Sequence, residues 1–526
     1  MTKKTWWLPL VATVVLATAC GTAAPTTTPT GAPTNPPSSS ATPGPTGGPT
    51  PGPTDAPTPG PTDAPTPGPT TAPAAAVPTV PTGYAELDAA LDAAQPFKGK
   101  KVTIQVQWIG GEGDNFENSL ADFEAATGID IVVDRVGSSH ETTLKIRIDG
   151  NDPNLDLAML AQPAAVVAYG ADGKLVDVST FMTGTKLADE HPATVGLYTD
   201  ATGHVWGVPY KVDVKSTVWY PIKSFAAKGY TVPTTWDELI ALSQKIVDDG
   251  NGNPWCIGME AGTATGWQAT DWLEDIMLRT TSVDNYNKWI THELPFNSPE
   301  VLNAMARAGE IFFTPNFVFG GPEGAIAIRQ TDPMDPMFPA NGAPFDDSFT
   351  PGCWMQKQAT WYGPDFFPDV KAGGTGTQTM YPVGTDIGLF YFPPIDPAYG
   401  NPALGAGDAL MVIQPPDGSA LADEVKAVAE FLSLPQGVQR WIEAGSAISA
   451  NQSTPSEWYA GFYKLAAAAD IVANATSFGF DASDLMPAEV GAGSEWQQLS
   501  EWIRTGGTNP TAQAAVEAID ASWPTP

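Results

Sequence analysis

Apolar and polar residues begin to alternate near residue 100, and this pattern predicts the first strand of the globular part. Val102, Ile104, Val106 and Trp108 alternate with polar residues, which is the two-residue period of a half-buried β-strand. A glycine-rich turn at 110–113 follows. The chain is therefore predicted to pass from this strand through a turn into the next element.

A helical pattern comes directly after that turn. Asp114 is placed to cap a helix, and Glu117 stands three residues later as the partner in a capping box. Phe116, Leu120 and Phe123 recur at helical spacing and predict one buried face. The pattern thus indicates that the first strand is followed by an amphipathic helix.

Strands and helices continue to alternate along the next fifty residues. The patterns predict a strand at 129–133, a strand at 156–160 and a helix at 163–170. This order is typical of a doubly wound α/β lobe with a parallel sheet. In such sheets ligands bind at the carboxyl ends of the strands.

The segment 206–213 interrupts the alternation, and we interpret it as the start of a crossing into a second lobe. In this second lobe, Thr235 with Glu238 as its capping partner predicts the start of a strong helix directly after Thr235. The C-terminal third has mostly helical spacing. Further predicted elements are a helix at 267–279, a strand at 389–392 and a strand at 409–413 after a glycine-rich bend at 405–408.

The N-terminus carries the pattern of a secretory signal. Two lysines precede an apolar run at 6–19, which is too short for the ~20 residues that span a bilayer. The run ends in small residues directly before Cys20. It resembles the lipobox of bacterial lipoproteins, whose cysteine is lipidated, although Ala17 stands where that motif usually has Leu. We therefore predict a lipoprotein signal peptide at 1–19, and an ordinary secretory signal with a chance cysteine is the alternative.

Residues 20–81 predict a disordered linker. Pro, Thr, Gly, Ala and Ser dominate this stretch, and an eight-residue repeat occurs at 51–58 and 59–66. Such a composition buries no core. Proline-rich chain extends by ~3.1 Å per residue, so the linker reaches up to ~180 Å from an anchor at Cys20. A passive spacer that is glycosylated on Thr is compatible with this interpretation.

Composition narrows the partners and the compartment. Roughly 440 residues remain after the linker, which suits two lobes. The formal net charge of −33 repels nucleic acid and anionic lipid. If Cys20 carries lipid, Cys256 and Cys353 remain as a pair, and we predict a disulfide in an oxidising compartment. We expect an extracytoplasmic monomer, anchored by lipid to the outer face of the cell membrane.

Motifs of common enzymes are absent from the sequence. There is no Gly-x-Ser-x-Gly elbow, no phosphate-binding Gly-x-x-x-x-Gly-Lys loop and no dinucleotide fingerprint after a strand. His292 and Glu293 lack the second histidine of a zinc helix. We therefore predict no catalytic residues, no cofactor and no metal. A secreted glycosidase with a cryptic carboxylate pair remains the alternative, and an adhesin on a stalk is a third class.

A family resemblance extends over about residues 98–523. It rests on the order and spacing of several short motifs, each of which occurs once. They are 108–117 (WIGGEGDNFE), 123–129 (FEAATGI), 173–177 (GKLVD), 207–210 (GVPY), 233–239 (PTTWDEL), 255–258 (WCIG), 265–267 (TGW), 270–272 (TDW) and 484–487 (DLMP). With these motifs the chain resembles the solute-binding lipoproteins, family 1, of bacterial ABC sugar importers. Within that family it looks most like the α-glucoside binders.

The resemblance implies a two-lobe α/β fold, in which each lobe is a doubly wound sheet with flanking helices and a hinge lets the lobes close on sugar. It implies a permease and its ATPase as partners, and an oligosaccharide, namely an α-glucoside or a similar disaccharide, as the ligand. We expect the N-terminal lobe at 97–208 plus 405–449, and the C-terminal lobe at 209–404 plus 450–526.

Polar candidates for sugar binding cluster near the predicted strand ends and crossings. Carboxylates accept paired hydrogen bonds from vicinal hydroxyls, as pyranose diols present. Asp114 is otherwise a plain N-cap, Gln162 a turn residue and Lys211 a solvated hinge charge. The polar candidates are Glu112, Asp114, Gln162, Tyr210, Lys211, Asp213, Asp271 and Asp408, with Gly405 as a source of backbone NH groups.

Three tryptophans are the aromatic candidates. Trp267 precedes a predicted helix, Trp361 lies in a run that resembles the family's binding-side strand end, and Trp496 follows the 484–487 motif. Tryptophan offers a flat apolar face together with a polar edge, which suits a sugar ring. Core packing is the alternative for Trp267, and it is the role we expect for Trp236 and Trp441.

Overall fold

The computed structural model describes residues 76–182, 184–339, 345–346, 348–363, 366–367 and 381–524. The predicted signal peptide, the predicted lipidation site Cys20 and nearly all of the predicted linker lie outside these residues. Within the described part, no helix is both long and apolar enough to cross a membrane.

Two sheets organise the globular part. The first sheet has the order β10-β4-β9-β3-β1-β2, with β11 paired to β9, and the second has the order β6-β7-β5-β8. The strands of the first sheet are β1 (Lys101–Val106), β2 (Asp130–Arg135), β3 (Leu157–Leu160), β4 (Val208–Val214), β9 (Ala403–Val412), β10 (Ile448–Ser449) and β11 (Phe478–Phe480); those of the second are β5 (Thr217–Pro221), β6 (Asn253–Trp255), β7 (Cys353–Lys357) and β8 (Ile387–Tyr391).

The first sheet is mixed rather than purely parallel, which corrects the sequence-based expectation. β1 pairs in parallel with β2 and with β3, as predicted. β9 runs antiparallel to β3 and to β4, and so the chain returns into the first sheet from its second half in the opposite direction. The long sequence separation between β3 and β9 hid this pairing from local patterns.

Helices flank both sheets. They are α1 (Ala85–Ala90), α2 (Gly110–Thr127), α3 (His140–Asp149), α4 (Pro163–Ala171), α5 (Gly184–Glu190), α6 (Ile222–Lys228), α7 (Trp236–Asp248), α8 (Trp267–Thr280), α9 (Val283–Ile290), α10 (Pro299–Phe312), α11 (Gly321–Ala327), α12 (Asp423–Ser433), α13 (Gln439–Glu443), α14 (Tyr463–Asn474), α15 (Ala482–Leu485), α16 (Trp496–Arg504) and α17 (Ala512–Ser522). A π-helical turn, Val490–Glu495, leads directly into α16.

Helix α7 forms as its sequence predicts. The side chain of Thr235 accepts a hydrogen bond from the backbone N–H of Glu238, which satisfies one free donor of the first turn. Trp236, Leu239 and Ile246 are buried against the second sheet. The helices predicted at 163–170 and 267–279 are likewise confirmed, each extended by one residue.

The start of α2 differs from the prediction. The helix begins at Gly110 with Ile109 as its N-cap residue, five positions before the predicted cap at Asp114. The glycine-rich stretch that reads as a turn is therefore the first turn of the helix. The predicted buried face is confirmed, because Phe116, Leu120 and Phe123 are each at most 2 % exposed.

The glycine-rich stretch 405–408 is part of strand β9 and not a bend before it. A Cβ atom on Gly407 would lie 2.6 Å from the backbone oxygen of Lys211, which is closer than side chains approach. Glycine is needed there because β9 and β4 approach each other closely.

Separate apolar clusters support the two sheets. The cluster beside the second sheet contains Trp236, Trp255 and Trp272, and the cluster beside the first contains Trp108 and Trp441. The core positions expected for Trp236 and Trp441 are confirmed, with exposures of 2 % and 0 %. The exact lobe boundaries stay a prediction.

The predicted crosslink is present. Cys256 and Cys353 form a disulfide, and both cysteines are fully buried. The bond joins the residue after β6 to the first residue of β7, two strands that already pair in parallel. It closes a chain separation of 97 residues within the second half of the molecule.

Candidate functional site

A cavity of about 250 Å³ opens where the carboxyl ends of β1 and β3 face the start of α8. Its walls come from both halves of the chain. The lining residues are Gln107, Trp108, Ile109, Glu112, Gly137, Ser138, His140, Glu141, Ala161, Gln162, Lys211, Asp213, Lys215, Glu260, Ala261, Ala264, Trp267, Arg329, Gln330, Thr331, Trp361, Phe366, Ala406, Gly407, Asp408, Asp481, Ser483, Asp484 and Trp496. These residues form the cavity wall.

The structure brings most of the predicted binding residues together in the cavity. The polar ones are Glu112, Gln162, Lys211, Asp213 and Asp408, and the aromatic ones are Trp267, Trp361 and Trp496. They come from segments more than 350 residues apart in the sequence. Whether each of them contacts a ligand stays a prediction.

Aromatic rings form one side of the cavity. The rings of Trp267 and Trp361 lie 6.0 Å apart, and Phe366 packs edge-on against Trp361 at 5.0 Å. Gly266, with φ of +118°, allows the start of α8 to approach the backbone of Trp496, because a Cβ there would lie 2.4 Å from the Trp496 carbonyl oxygen. Close backbone contact thus places Trp267 and Trp496 on the same wall.

Lys211 lies at the centre of one buried charge network. Its Nζ is 2.7 Å from Oδ2 of Asp213 and 2.9 Å from Oδ2 of Asp408. Thr360 donates a hydrogen bond to the other oxygen of Asp213, and the Gln107 amide donates to Asp408. Burial lowers the pKa of Lys211, but the two aspartates outweigh it and hold the pKa above its ordinary value.

A second network surrounds Lys215, which the sequence analysis did not select. Its Nζ lies 2.7 Å from Oδ1 of Asp271 and also pairs with Asp481. The same ammonium group stands 5.3 Å from the centre of the Trp267 ring. Burial opposes the charge of Lys215, but both aspartates raise its pKa well above the ordinary value. The lysine is therefore a fixed cation between β4 and β5.

More carboxyl groups lie around Lys215 than one cation neutralises. Burial raises the pKa of Asp271 to about 6, and it raises the pKa values of Glu274, Asp484 and Glu495 well above their ordinary range. One oxygen from each of Asp271, Glu274 and Asp481 lies within 4.8 Å of the others, a spacing that suits a cation. Lys215 already pairs with two of the three.

Two buried polar atoms on the cavity wall have no hydrogen-bond partner in the described part of the chain. They are Oε1 of Gln107 and Nε1 of Trp496. Leaving a buried donor or acceptor unpaired costs about 1–3 kcal/mol. One is an acceptor and the other a donor, and hydroxyl groups satisfy both kinds.

Four predicted binding residues lie away from the cavity wall. Asp114 is exposed and pairs with Arg135 at 2.7 Å, on the outside of α2. Tyr210 packs in the core against Trp108, and its hydroxyl donates to the carbonyl oxygen of Gly437. Asp271 lies beneath the wall and holds Lys215. Gly405 pairs within the first sheet, with Val214 and Phe480.

Several lining residues were missed by the sequence analysis. Lys215 stands two residues beyond Asp213, and Gln107 stands two residues beyond Gln105 of β1, so strand periodicity was a usable signal for both. Asp481 and Asp484 come from the segment after β11, and Asp484 begins the 484–487 motif. His140 lines the cavity as a neutral ring, since burial lowers its pKa to about 4.

Two sheets joined by crossing segments, with a cavity walled by aromatic rings and paired charges, define a two-lobe binding protein. The family model described as bacterial extracellular solute-binding protein matches residues 79–439, and the chain belongs to that family. It is the solute-binding component of an ABC importer and not an enzyme, which removes the glycosidase alternative.

Two relatives match most of the chain. The osmoprotective compounds-binding protein GgtB of Synechocystis sp. is 34% identical over 432 residues, covering 81% of this chain and 93% of the relative. The alpha-glucosides-binding periplasmic protein AglE of Rhizobium meliloti is 34% identical over 437 residues, covering 81% of this chain and 87% of the relative.

The fold is also that of solved receptors. The bacterial solute receptor AcbH, whose structure is described with a preference for β-D-galactopyranose, superposes with a TM-score of 0.64 at 17% identity. The match covers 80% of this chain and 98% of AcbH. This likeness supports the two-lobe fold.

Proposed function

We propose that this protein captures a glycoside of about disaccharide size, of the α-glucoside class, in the cavity and delivers it to the permease of its importer. The observation that carries the proposal is the pairing of an aromatic wall with fixed hydrogen-bonding charges. Trp267 and Trp361 offer flat apolar faces, while Asp213, Asp408 and Lys211 offer fixed acceptors and donors.

The size and polarity of the cavity support a small polyhydroxy ligand. Its volume of about 250 Å³ lies just below the ~300–1,000 Å³ that is typical of ligand pockets. A long polysaccharide is therefore a poor fit. Hydroxyl groups serve as both donors and acceptors, so they suit the unpaired Gln107 oxygen and Trp496 nitrogen.

The relatives support the same ligand class. The name of AglE specifies α-glucosides, and the name of GgtB specifies osmoprotective compounds. Both descriptions suit a cavity that forms hydrogen bonds with the hydroxyl groups of its ligand. We therefore place α-glucosides first and other small osmoprotective polyols second.

The N-terminus supports delivery from an anchored position. A lipid on Cys20 and the proline-rich stretch that follows would hold a monomeric binding domain at the outer face of the cell membrane, within reach of its permease. The anchor, the monomeric state and the delivery step belong to this proposal.

A thermal-shift screen of purified protein tests the proposed ligand. The panel contains maltose, trehalose and sucrose, with a linear polysaccharide as the comparison. A ligand at 100 times its dissociation constant adds ~2.7 kcal/mol to the free energy of unfolding, so a true ligand raises the melting temperature clearly. Stabilisation by the polysaccharide alone would contradict the proposal.

A further inference from the structure

The cations of the cavity are all paired with carboxylates. Within the described part of the chain, the lining cations are Lys211, Lys215 and Arg329. Lys211 lies between Asp213 and Asp408, and Lys215 lies between Asp271 and Asp481. Arg329 donates from Nε to Oδ2 of Asp332 at 2.8 Å and from Nη2 at 2.7 Å. An arriving anion would therefore have to share each buried lysine with the two carboxylates that already hold it.

Carboxylates are in excess over these cations. Five aspartates already surround the three cations, and Glu112 and Glu260 line the cavity in addition. Burial raises the pKa values of Glu141 and Asp484, which also line the wall, and the excess does not depend on either of them. The neutral ring of His140 adds no positive charge.

Burial strengthens the electrostatic effect of these excess carboxylates on a ligand. The side chains of Lys211, Asp213 and Asp408 are only 4–7 % exposed, so water screens their charges weakly. Like charges brought together in such a site cost several kcal/mol. A substituent that is negative therefore meets a repulsive field, whereas one that is positive meets several acceptors.

We propose that the cavity selects its ligands by charge: it admits glycosides that are neutral or carry an ammonium group, and it rejects glycosides that carry a carboxylate or phosphate. This inference rests on the proposed function and adds the electrostatic class of the substrate to it. The paired cations and the excess of buried carboxylates together carry it.

Matched sugars test the inference by isothermal titration calorimetry at pH 7.5. The first ligand is the neutral α-glucosidic disaccharide that binds best among maltose, trehalose and sucrose. The others carry, on either ring, an ammonium group in place of the C6 hydroxyl or a carboxylate in place of the whole C6 hydroxymethyl group. We expect both carboxylate forms to bind at least ~100-fold more weakly than the neutral sugar, and at least one ammonium form to bind within ~10-fold of it.

Two variants assign the effect to the cavity charges. Asp408→Asn keeps the shape of the side chain and leaves Lys211 paired with Asp213 alone, and Glu112→Gln provides a second test if the buried change impairs folding. In each variant, the association constant of the carboxylate sugar divided by that of the neutral sugar should rise by ~10-fold. Glu517→Gln, an exposed change in α17 outside the cavity, should leave that ratio unchanged.

The outcomes separate the two proposals. Tight binding of the neutral sugar and of its carboxylate forms alike would overturn charge selection and leave the proposed function intact. Failure of every neutral sugar to bind would contradict the proposed function, and the inference would fall with it. An affinity ratio that moves equally in Glu517→Gln would show that the total charge of the protein, rather than the cavity, sets the preference.

Discussion

The Nζ atom of Lys215 lies 2.7 Å from Oδ1 of Asp271, and this ion pair joins the segment between β4 and β5 to helix α8. Both side chains are nearly buried, at 8 % and 7 % exposure. Because Lys215 also pairs with Asp481, after β11, one ammonium group ties together three chain segments beneath the cavity. The lysine is therefore central both to the site and to the connection between the sheets.

Replacing Lys215 should destabilise the protein strongly. Lys215→Met leaves Asp271 and Asp481 buried without their cation, and removing one partner of a buried pair costs about 3–5 kcal/mol. Urea denaturation at pH 7 measures the loss. Lys245→Met is the matched control, because Lys245 pairs with Asp249 on the exposed face of α7 and such pairs contribute little. Equal losses in the two variants would contradict the role given to Lys215.

Trp267→Ala should weaken ligand binding more than it weakens the fold. Trp267 lines the cavity, and losing an aromatic anchor costs on the order of 1–3 kcal/mol of binding free energy. Trp236→Ala is the comparison, since Trp236 is buried in the core and its removal should cost ~3–5 kcal/mol of stability. Calorimetry and denaturation of both variants separate the two effects. Unchanged affinity in Trp267→Ala would show that the ligand does not use this wall.

Glu430 should make stability fall as pH rises. Its Oε2 accepts a hydrogen bond from the backbone N–H of Leu87, and the negative charge of Glu86 also acts on this carboxyl. Burial raises its pKa from 4.5 to about 8, so the folded state retains a proton that the unfolded state has released. Between these values the folded state binds more protons, and the free energy of unfolding therefore decreases as pH rises.

The variant Glu430→Gln removes this titration while keeping the shape. Its stability relative to the wild type should increase from pH 5 to pH 8 in parallel denaturation curves, because only the wild type pays for ionisation in that window. Glu517→Gln, on the exposed face of α17, should show no such trend. A constant difference for Glu430→Gln at both pH values would mean that this carboxyl is ionised in the folded protein at pH 5.

Local signals predicted the elements that depend on neighbouring residues in sequence. The cap at Thr235 and the buried face of α2 are examples, since each is determined within a few turns of helix. The pairing of β9 with β3 and β4 was not predictable in this way, because the partners lie about 200 or more residues apart. The glycines at 405–408 show the same limit: their role depends on the backbone of β4 beside them.

The kinds of residue that form the site were easier to predict from the sequence than the positions of the individual side chains. The family resemblance implied sugar binding, and most of the carboxylates and tryptophans selected for it near strand ends do line the cavity. Asp114 was misplaced because α2 begins five residues earlier than predicted and turns that side chain outward to Arg135. Lys215 and Asp481 were missed because a charge beside a crossing segment looks solvated in sequence and becomes buried only when two segments meet.

Cys20→Ser should release the protein from membranes. The apolar run ends in small residues directly before Cys20, an arrangement that resembles the lipobox of bacterial lipoproteins. Fractionation of cells that express the wild type and the variant measures the effect, with Cys256 and Cys353 left intact so that folding is unaffected. A wild type that is already fully released, with a secretory cleavage elsewhere, would contradict the anchor.

The central claim, that the cavity binds a neutral α-glucoside without converting it, is tested most directly by calorimetric titration of the wild type followed by analysis of the recovered sugar. We predict saturable binding with one sugar per chain, and recovery of the sugar unchanged. Absence of binding for every α-glucosidic disaccharide tested, or recovery of hydrolysed sugar, would contradict the account.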